Sequence, residues 1–317
     1  MAQIYITDYI DNPDLEQEVL GSKVSIKKSA DAEVLLVWHE HINKQYLDQF
    51  PEIKGVVRYG VGFDNIDLEE IKSRGLVFCN TPDYGTDEVS DTALAMMLGL
   101  LRGVFAYDVF SRSYTDTWQE NTIGKLRRVS GLTLGVVGAG RIGTALMRKA
   151  KALGMNIIFY DPYKDSGYEK AVGVNRCYDL SEFLAQCDVI SMHTPLTSET
   201  RSMVDENFID NMKQDSILIN SSRGEVVKDL DVIYKALESG KLSAVALDVL
   251  PDEPPTDCKL IRAWRGHDKE LAHRIIINPH TSYYTQESYV EMRVKASENA
   301  KRIIDGVEPL NIIVDGR

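Results

Sequence analysis

The chain has 317 residues, 44% of them hydrophobic, and carries 48 Asp and Glu against 36 Lys and Arg, a formal charge of -12. That length can bury one large core or two smaller ones, and the acidic balance argues against a nucleic-acid or anionic-membrane surface, which needs clustered Lys and Arg. No apolar run approaches the roughly 20 residues of a bilayer span, and the amino terminus lacks the basic and apolar regions of a signal peptide. A cytoplasmic protein with neither a membrane nor a nucleic-acid partner is expected. The four cysteines, Cys79, Cys177, Cys187 and Cys258, have no paired short spacing and read as reduced thiols.

A strand-like run opens the chain at Ile4 to Ile10. Others follow at Val34 to Trp38, Lys54 to Gly60 and Leu76 to Asn80, with helix-like segments such as Leu68 to Ser73 between them. This alternation is an α/β pattern. A helical stretch from about Thr86 to Arg112, rich in Ala, Leu and Met, leads into an irregular polar segment through Trp118, Asn121 and Gly124 to Ser130.

Six short apolar runs then each stop at a residue with chemical potential. They are Thr133 to Gly138, Ile157 to Pro162, Val189 to Thr194, Ile217 to Ser222, Val245 to Leu250 and Ile275 to His280. Continuous β-branched runs separated by helical stretches predict buried parallel strands, and an open parallel sheet binds ligands beyond the carboxyl ends of its strands. Two α/β units joined by a long helix predict two doubly wound parallel-sheet lobes with a cleft between them. A last helix, Glu287 to Ile304 with Val290, Val294, Ala300 and Ile304 apolar, is expected to cross back to the first lobe.

Gly138-Ala139-Gly140-Arg141-Ile142-Gly143 is a G-x-G-x-x-G after a strand and before a helix whose apolar face reads Ile142, Leu146, Ala150, Leu153, with Gly154 as its stop. Gly138 permits a tight turn, Gly140 lets backbone approach a pyrophosphate, and Gly143 lets helix pack on strand. The free N–H groups at Arg141 and Ile142 and the helix dipole then hold the diphosphate. Asp161 closes the next strand about 20 residues on, where an acid accepts hydrogen bonds from ribose hydroxyls and repels a 2′-phosphate. The motif therefore points to NAD rather than NADP, with Lys164 close by as a counter-signal.

Hydride chemistry needs a proton supplied in step, and a His is the usual donor. Of six histidines, His280 alone ends a strand in this half. His193 reads as a packed strand residue, and His267 and His273 as surface. No Cys, Asp or Glu cluster beside His39 and His41 completes a metal site. Arg223, after Ser221-Ser222, can hold a carboxylate or carbonyl oxygen bidentately, or form a surface ion pair. Glu253 follows the fifth run, either as a solvated loop acid or beside an imidazole, whose charged form it would favour.

These residues match a known pattern. The chain resembles the D-isomer-specific 2-hydroxyacid dehydrogenases (phosphoglycerate dehydrogenase-like) through Arg58 to Asp67 (RYGVGFDNID), the glycine loop, His193 to Thr200 (HTPLTSET), Ile219 to Val227 (INSSRGEVV), Ala246 to Pro254 (ALDVLPDEP) and Asn278 to Ser282 (NPHTS). Phe159 to Tyr163 and Pro279 to Arg293 bring it nearest the carboxyl-terminal-binding protein branch. The resemblance implies a substrate lobe of residues 1–100 completed by 286–317, with an NAD lobe over 101–285. It implies a catalytic trio in which Arg223 holds the substrate, Glu253 polarises His280, and His280 exchanges the proton.

It further implies that the amides of Val61 and Gly62 bind the substrate carboxylate. Thr86, Thr194, Pro195, Thr200, Ser221, Ser222 and Asp248 would join the glycine loop and Asp161 at the cofactor. The segment Trp118 to Ser130 would make a homodimer contact, although Arg127-Arg128 could equally be a solvated charge pair. Asp83 stands where the family often has Gly after Thr81-Pro82, and Asp91 where it has Glu.

Trp38 and His39 after the second strand, Arg58, and Tyr283 with Tyr284 beyond His280 are the candidates to shape the substrate pocket. Arg58 would suit a second anionic group, strengthen the hold on the one carboxylate, or simply pair with Asp64 or Asp67, and Trp38 and Tyr283 would suit an apolar or thioether side chain. The implied activity is an NAD-dependent reduction of a small 2-oxo acid to the D-2-hydroxy acid. The alternative is an NAD(H)-sensing, corepressor-like oligomeric binding protein with weak turnover. The intact trio and a sequence that stops soon after its last helix favour the enzyme.

Overall fold

The computed structural model describes residues 3–112, 118–120, 123, 126–268 and 270–317. It divides into two compact units, Met1–Gly85 with Tyr284–Arg317, and Thr86–Tyr283. In chain order the strands are β1 (Ile4–Ile6), β2 (Val24–Ser25), β3 (Val34–Val37), β4 (Gly55–Arg58) and β5 (Val77–Asn80), then β6 (Thr133–Val137), β7 (Asn156–Tyr160), β8 (Asn175–Arg176), β9 (Val189–Met192), β10 (Ser216–Asn220), β11 (Leu242–Leu247) and β12 (Ile275–Ile277), and finally β13 (Ile312–Asp315).

The smaller unit's sheet runs β13-β5-β4-β3-β1-β2, parallel except for β13. Its centre is apolar on both faces: all four residues of β3 are wholly buried. Gln286–Ile304 is the helix expected from the sequence, and it packs on β3 and β4. Its buried stripe is Met292, Ala296, Ala300 and Ile303, whereas Val290 is exposed, so the inward face is rotated from the one read in the sequence.

An ion pair is buried in this unit. The Arg293 guanidinium donates Nε to Glu16 Oε1 at 2.8 Å and Nη2 to Glu16 Oε2 at 2.5 Å, and Tyr59 Oη donates to Glu16 Oε1 at 3.0 Å. Glu16 is 0% and Arg293 5% exposed. Each charge is tolerable only because the other is present.

The larger unit's sheet runs β12-β11-β10-β9-β6-β7-β8, all parallel. Each expected run gives a strand, and alternate residues feed two cores. Val136, Ile157, Phe159, Ile217 and Ile219 face one, while Val137, Ile158, Ile190 and Leu218 face the other. Burial on both faces is why the runs are continuously apolar rather than alternating.

The Thr86–Arg112 stretch is two helices, Thr86–Leu101 and Val104–Ser111, bent by 58° at the left-handed Gly103. No single described helix is long and apolar enough to cross a membrane. Thr86–Leu101 counts with the larger unit, so the division falls at Gly85 rather than near residue 100. Its Ala93, Met96 and Met97 are buried in one of that sheet's cores. The helix after the glycine loop, Arg141–Ala152, buries Gly143, Leu146, Met147 and Ala150, with Ile142 half-buried and Leu153 outside it.

The four cysteines are free thiols. His273 is half-buried with its ring edge-on to Phe110, not a surface residue. The His267 side chain, Asn121 and Gly124 lie outside the described residues. Arg127 is no solvated charge: it pairs at 2.8 Å with buried Asp188, which also takes Lys213 and the Thr133 amide. Burial works against ionisation of Asp188, but those partners hold its carboxyl below the usual range.

Replacing Arg293 by Met strands the Glu16 carboxylate in the core, and urea unfolding should register a loss of about 3–5 kcal/mol. A loss well under 1 kcal/mol would mean that water already reaches Glu16.

Candidate active site

Strand order in the larger sheet reverses at β6, which has β9 on one side and β7 on the other. Ligands of such sheets bind at this switch point, and the glycine loop begins there. Gly138 has φ +93°, and a Cβ on it would meet His193 O at 2.6 Å. A Cβ on Gly143 would lie 2.1 Å from Gly138 O, whereas one on Gly140 would meet nothing within 4 Å. Two glycines thus serve close backbone packing, and the third borders open space at the helix start, where the first amides lack intrahelical acceptors.

Asp161 stands beside this turn, its Oδ2 accepting from Ala139 N at 2.9 Å and its Oδ1 from Tyr163 N at 3.0 Å. Those bonds aim the carboxylate at the edge of the loop. Lys164 lies over the Tyr168 ring, 4.8 Å from its centroid, which engages the cation that had clouded the NAD preference.

Further along the same edge, Thr194 Oγ1 and Ser221 Oγ are buried with no hydrogen-bond partner among the described residues. Buried hydroxyls normally find partners, so these two fit a polar ligand on the carboxyl ends of β9 and β10. The open space at Gly140, the free helix amides and these orphaned hydroxyls together suit a dinucleotide. Other expected contacts are spent locally. Thr200 closes its own loop by donating to Pro195 O at 2.6 Å, and Thr86 begins its helix. Ser222 donates N–H and Oγ–H to Asn220 Oδ1 at 3.0 and 2.8 Å.

The trio's backbone is held by two buried polar side chains. Asn220 Nδ2 donates to Arg223 O at 2.8 Å. Asp248 accepts from Thr281 N at 3.0 Å and Ser282 N at 3.1 Å through Oδ1, and His280 N donates to its carbonyl at 2.8 Å. This clamp secures His280 in left-handed backbone, φ 54°. His280 Nδ1 then lies 2.8 Å from Glu253 Oε2, while Leu250 N donates to Glu253 Oε1 at 2.8 Å.

Partial burial pushes the Glu253 carboxyl up. The hydrogen bond and charge of His280, the Leu250 amide and the Arg223 charge outweigh that and hold it below the usual carboxylate range. Arg223 is therefore near enough to act on the pair. His193 is different: burial pushes it down to about 4, and its Nε2 pairs with Ser191 Oγ at 2.8 Å. Among the described residues no three His, Cys, Asp or Glu side chains gather as a metal site.

Residues 94–282 match the family model "D-isomer specific 2-hydroxyacid dehydrogenase, NAD binding domain". A glyoxylate reductase of Thermococcus litoralis is 35% identical over 90% of this chain and 84% of its own length. The chain belongs to the D-isomer-specific 2-hydroxyacid dehydrogenase family. The matched segment is that family's NAD-binding domain, and NAD is the cofactor.

The C-terminal-binding protein 1 of Caenorhabditis elegans is 31% identical over 98% of this chain and 41% of its own length. A solved D-lactate dehydrogenase of Aquifex aeolicus, complexed with NAD and lactic acid, is 30% identical, covers 98% of both chains and superposes with a TM-score of 0.84.

Asn220 and Gly224 escaped the sequence reading. A Cβ on Gly224 would lie 1.9 Å from Leu250 O, so the Arg223 turn rests directly on the backbone that feeds Glu253. The motif Ser-Ser-Arg-Gly signals a turn, but not which distant backbone it meets. Gly224→Ala must separate the two loops. At least a hundredfold loss of kcat/KM with NADH affinity unchanged is expected, and steady-state kinetics beside NADH titration would read it. Wild-type kinetics would show the contact to be incidental.

Proposed function

We propose that this dehydrogenase reduces a small 2-oxo acid to its D-2-hydroxy acid, and catalyses the reverse, with Arg223, Glu253 and His280 as its working residues. The observation that carries this reading is the Glu253–His280 hydrogen bond within the field of Arg223, on the edge of an NAD-binding sheet.

Arg223 would hold the substrate's carboxylate and carbonyl oxygen through parallel N–H bonds, a geometry that Lys lacks. With Nδ1 engaged by Glu253, His280 presents Nε2 to the carbonyl oxygen and delivers its proton there. In oxidation the same nitrogen takes the hydroxyl proton. Bound NAD(H) supplies or accepts the hydride at C2. Glu253 stays ionised because its carboxyl is held below the ordinary value, about 4.3. Its support for the imidazolium is therefore present above that pH and lost as the pH falls through the depressed value.

The glycine loop, Asp161, Thr194, Pro195 and Ser221 are proposed as the cofactor contacts, with Ser222 and Asp248 beside them. In the smaller unit, Val61 and Gly62 offer amides that find no acceptor among the described residues, and these would take the substrate carboxylate. Tyr283 is proposed as a further substrate contact, with Trp38 and Arg58 behind the pocket wall.

Val104, Phe105 and Val109 leave an apolar face of one helix exposed, with Trp118 exposed as well, which favours a homodimer through this face. Free thiols suit a cytoplasmic setting.

With a panel of 2-oxo acids and NADH, His280→Ala should cut kcat by about 10²-fold or more while leaving NADH affinity intact. Glu253→Gln should lower kcat by about tenfold or more with NADH affinity unchanged, because the carboxylate that orients the His280 ring is lost. Equal loss of turnover and cofactor binding in His280→Ala would remove His280 from the proposed role. A wild-type protein that binds NADH tightly yet turns over none of the panel would favour the binding-protein alternative. Sedimentation should give a dimer that Val109→Glu dissociates; a monomeric parent would end the dimer proposal.

A further inference from the structure

The smaller sheet has its own switch point. Its order, β2-β1-β3-β4-β5, reverses at β1, so the crevice for a ligand opens between the carboxyl ends of β1 and β3. Those ends carry Thr7, Asp8 and Tyr9 on one strand and Trp38 and His39 on the other. The Asp8 carboxylate binds the two loops together: Oδ1 accepts from Trp38 N at 3.0 Å and from Thr7 Oγ1 at 2.6 Å, and Oδ2 from His39 N at 2.6 Å. Burial opposes its ionisation, but these bonds and the His39 ring hold the Asp8 carboxyl well below the usual range.

Beyond this clamp the chain does something costly. Tyr9 takes left-handed backbone, φ 68°, where a bulky side chain is an outlier that its surroundings must enforce. The effect is to lay the Tyr9 ring over Trp38, centroids 4.6 Å apart, and against the edge of His39 at 5.0 Å. Trp38 is the hub of the cluster, with Tyr59 at 5.5 Å and Tyr289 at 5.8 Å. The hub itself is only 4% exposed, so Trp38 offers a ligand little surface. Tyr9, at 61%, offers most of its ring. Strain that holds an aromatic face out to solvent at a sheet's switch point has the character of a binding device rather than of core packing.

Length selects the occupant. Tyr9 follows β1, which lies two strand spacings from β4, whose end leads to Val61 and Gly62. At the usual interstrand distance that is roughly 10 Å. A two-carbon 2-oxo acid anchored on those amides falls well short of Tyr9, whereas a phenyl or indole group on C3 covers the gap. The rival occupant, a second anion on Arg58, is disfavoured. The Arg58 guanidinium folds back onto the carbonyl of Tyr59 beneath the Gly60 turn, with Nη1 only 2.0 Å from where a Gly60 Cβ would stand.

We propose that Tyr9, backed by Trp38, is a specificity-determining platform for the side chain of an aromatic 2-oxo acid. The inference rests on the dehydrogenase reading above for the placement of the carboxylate, and names its substrate class. Tyr9 touches no reacting atom, so it bears on selection between substrates and not on proton transfer.

The test compares phenylpyruvate and glyoxylate in wild type, Tyr9→Ala and Tyr9→Phe, by NADH-coupled kinetics and by calorimetric titration of each acid onto the NAD-loaded protein. Wild type should favour phenylpyruvate in kcat/KM. Tyr9→Ala should lose about tenfold or more of that preference and of phenylpyruvate affinity, with glyoxylate within about twofold, and Tyr9→Phe should retain both. Turnover of either acid with a ratio unmoved by Tyr9→Ala overturns the platform and leaves the dehydrogenase reading standing. Absence of turnover alongside Tyr9-dependent phenylpyruvate binding does the reverse. A thermal midpoint for Tyr9→Ala at or above that of wild type would accompany release of the backbone strain and shows that the variant is folded.

Discussion

The carboxylate of Asp248 bears more of this structure than its two oxygens suggest. It lies just past β11, almost wholly buried, and spends itself on the amides of Thr281 and Ser282, while its own carbonyl takes the amide of His280. A histidine with φ 54° is not at rest by itself, and the clamp holds that conformation through satisfied buried polar groups. Because Asp248 N in turn donates to Asn220 O at 2.9 Å, the end of β11 is registered on the end of β10. Asn220 then holds the Arg223 carbonyl. Position passes from sheet to side chain through backbone, with no long flexible group in the path.

Gly224 closes the same circuit from the other side. The turn carrying Arg223 touches the Leu250 carbonyl directly, and the amide of that same Leu250 orients Glu253. Preorganisation of this sort supplies rate without any reorganisation at the moment of reaction. It also explains why the proposed working groups can be partly exposed while their supports are not. Asn220 and Asp248 must be dry to be rigid, whereas Arg223, Glu253 and His280 must meet a ligand.

Much of this was legible in the sequence, for physical reasons that differ by element. The central strands could be read because burial on both faces leaves no alternative to continuous apolar runs. The edge strands β2, β8 and β13 could not, since two-residue strands and a half-exposed alternation carry little hydrophobic signal. Helix existence was readable but helix faces only in part: Leu146, Ala150 and Ala300 are buried as expected, whereas Leu153 and Val290 are exposed, because apolar residues occur on both sides of each helix. The bend at Gly103 was hidden inside a run of good helix formers.

In the site, the pattern that a motif records is chemical type and order, so Arg223, Glu253 and His280 stood out, and Glu253 and His280 are hydrogen-bonded in the larger unit. Contacts made by backbone leave no such trace. Nothing in the sequence says that Gly224 must approach Leu250, or that Leu250 lends an amide to Glu253. The same limit explains the pocket residues. Trp38 was conspicuous as an aromatic after a strand, yet it is the buried member of its cluster, and the exposed ring belongs to Tyr9, a residue that looks ordinary until its φ is known. What Asp248 does for His280 in one sheet, Asp8 does for Trp38 and His39 in the other: a carboxylate just past a strand takes the amides of a neighbouring strand's loop and fixes a side chain there. One device at both sheet edges gives a parallel sheet, whose strands end bluntly, a defined surface to offer a ligand.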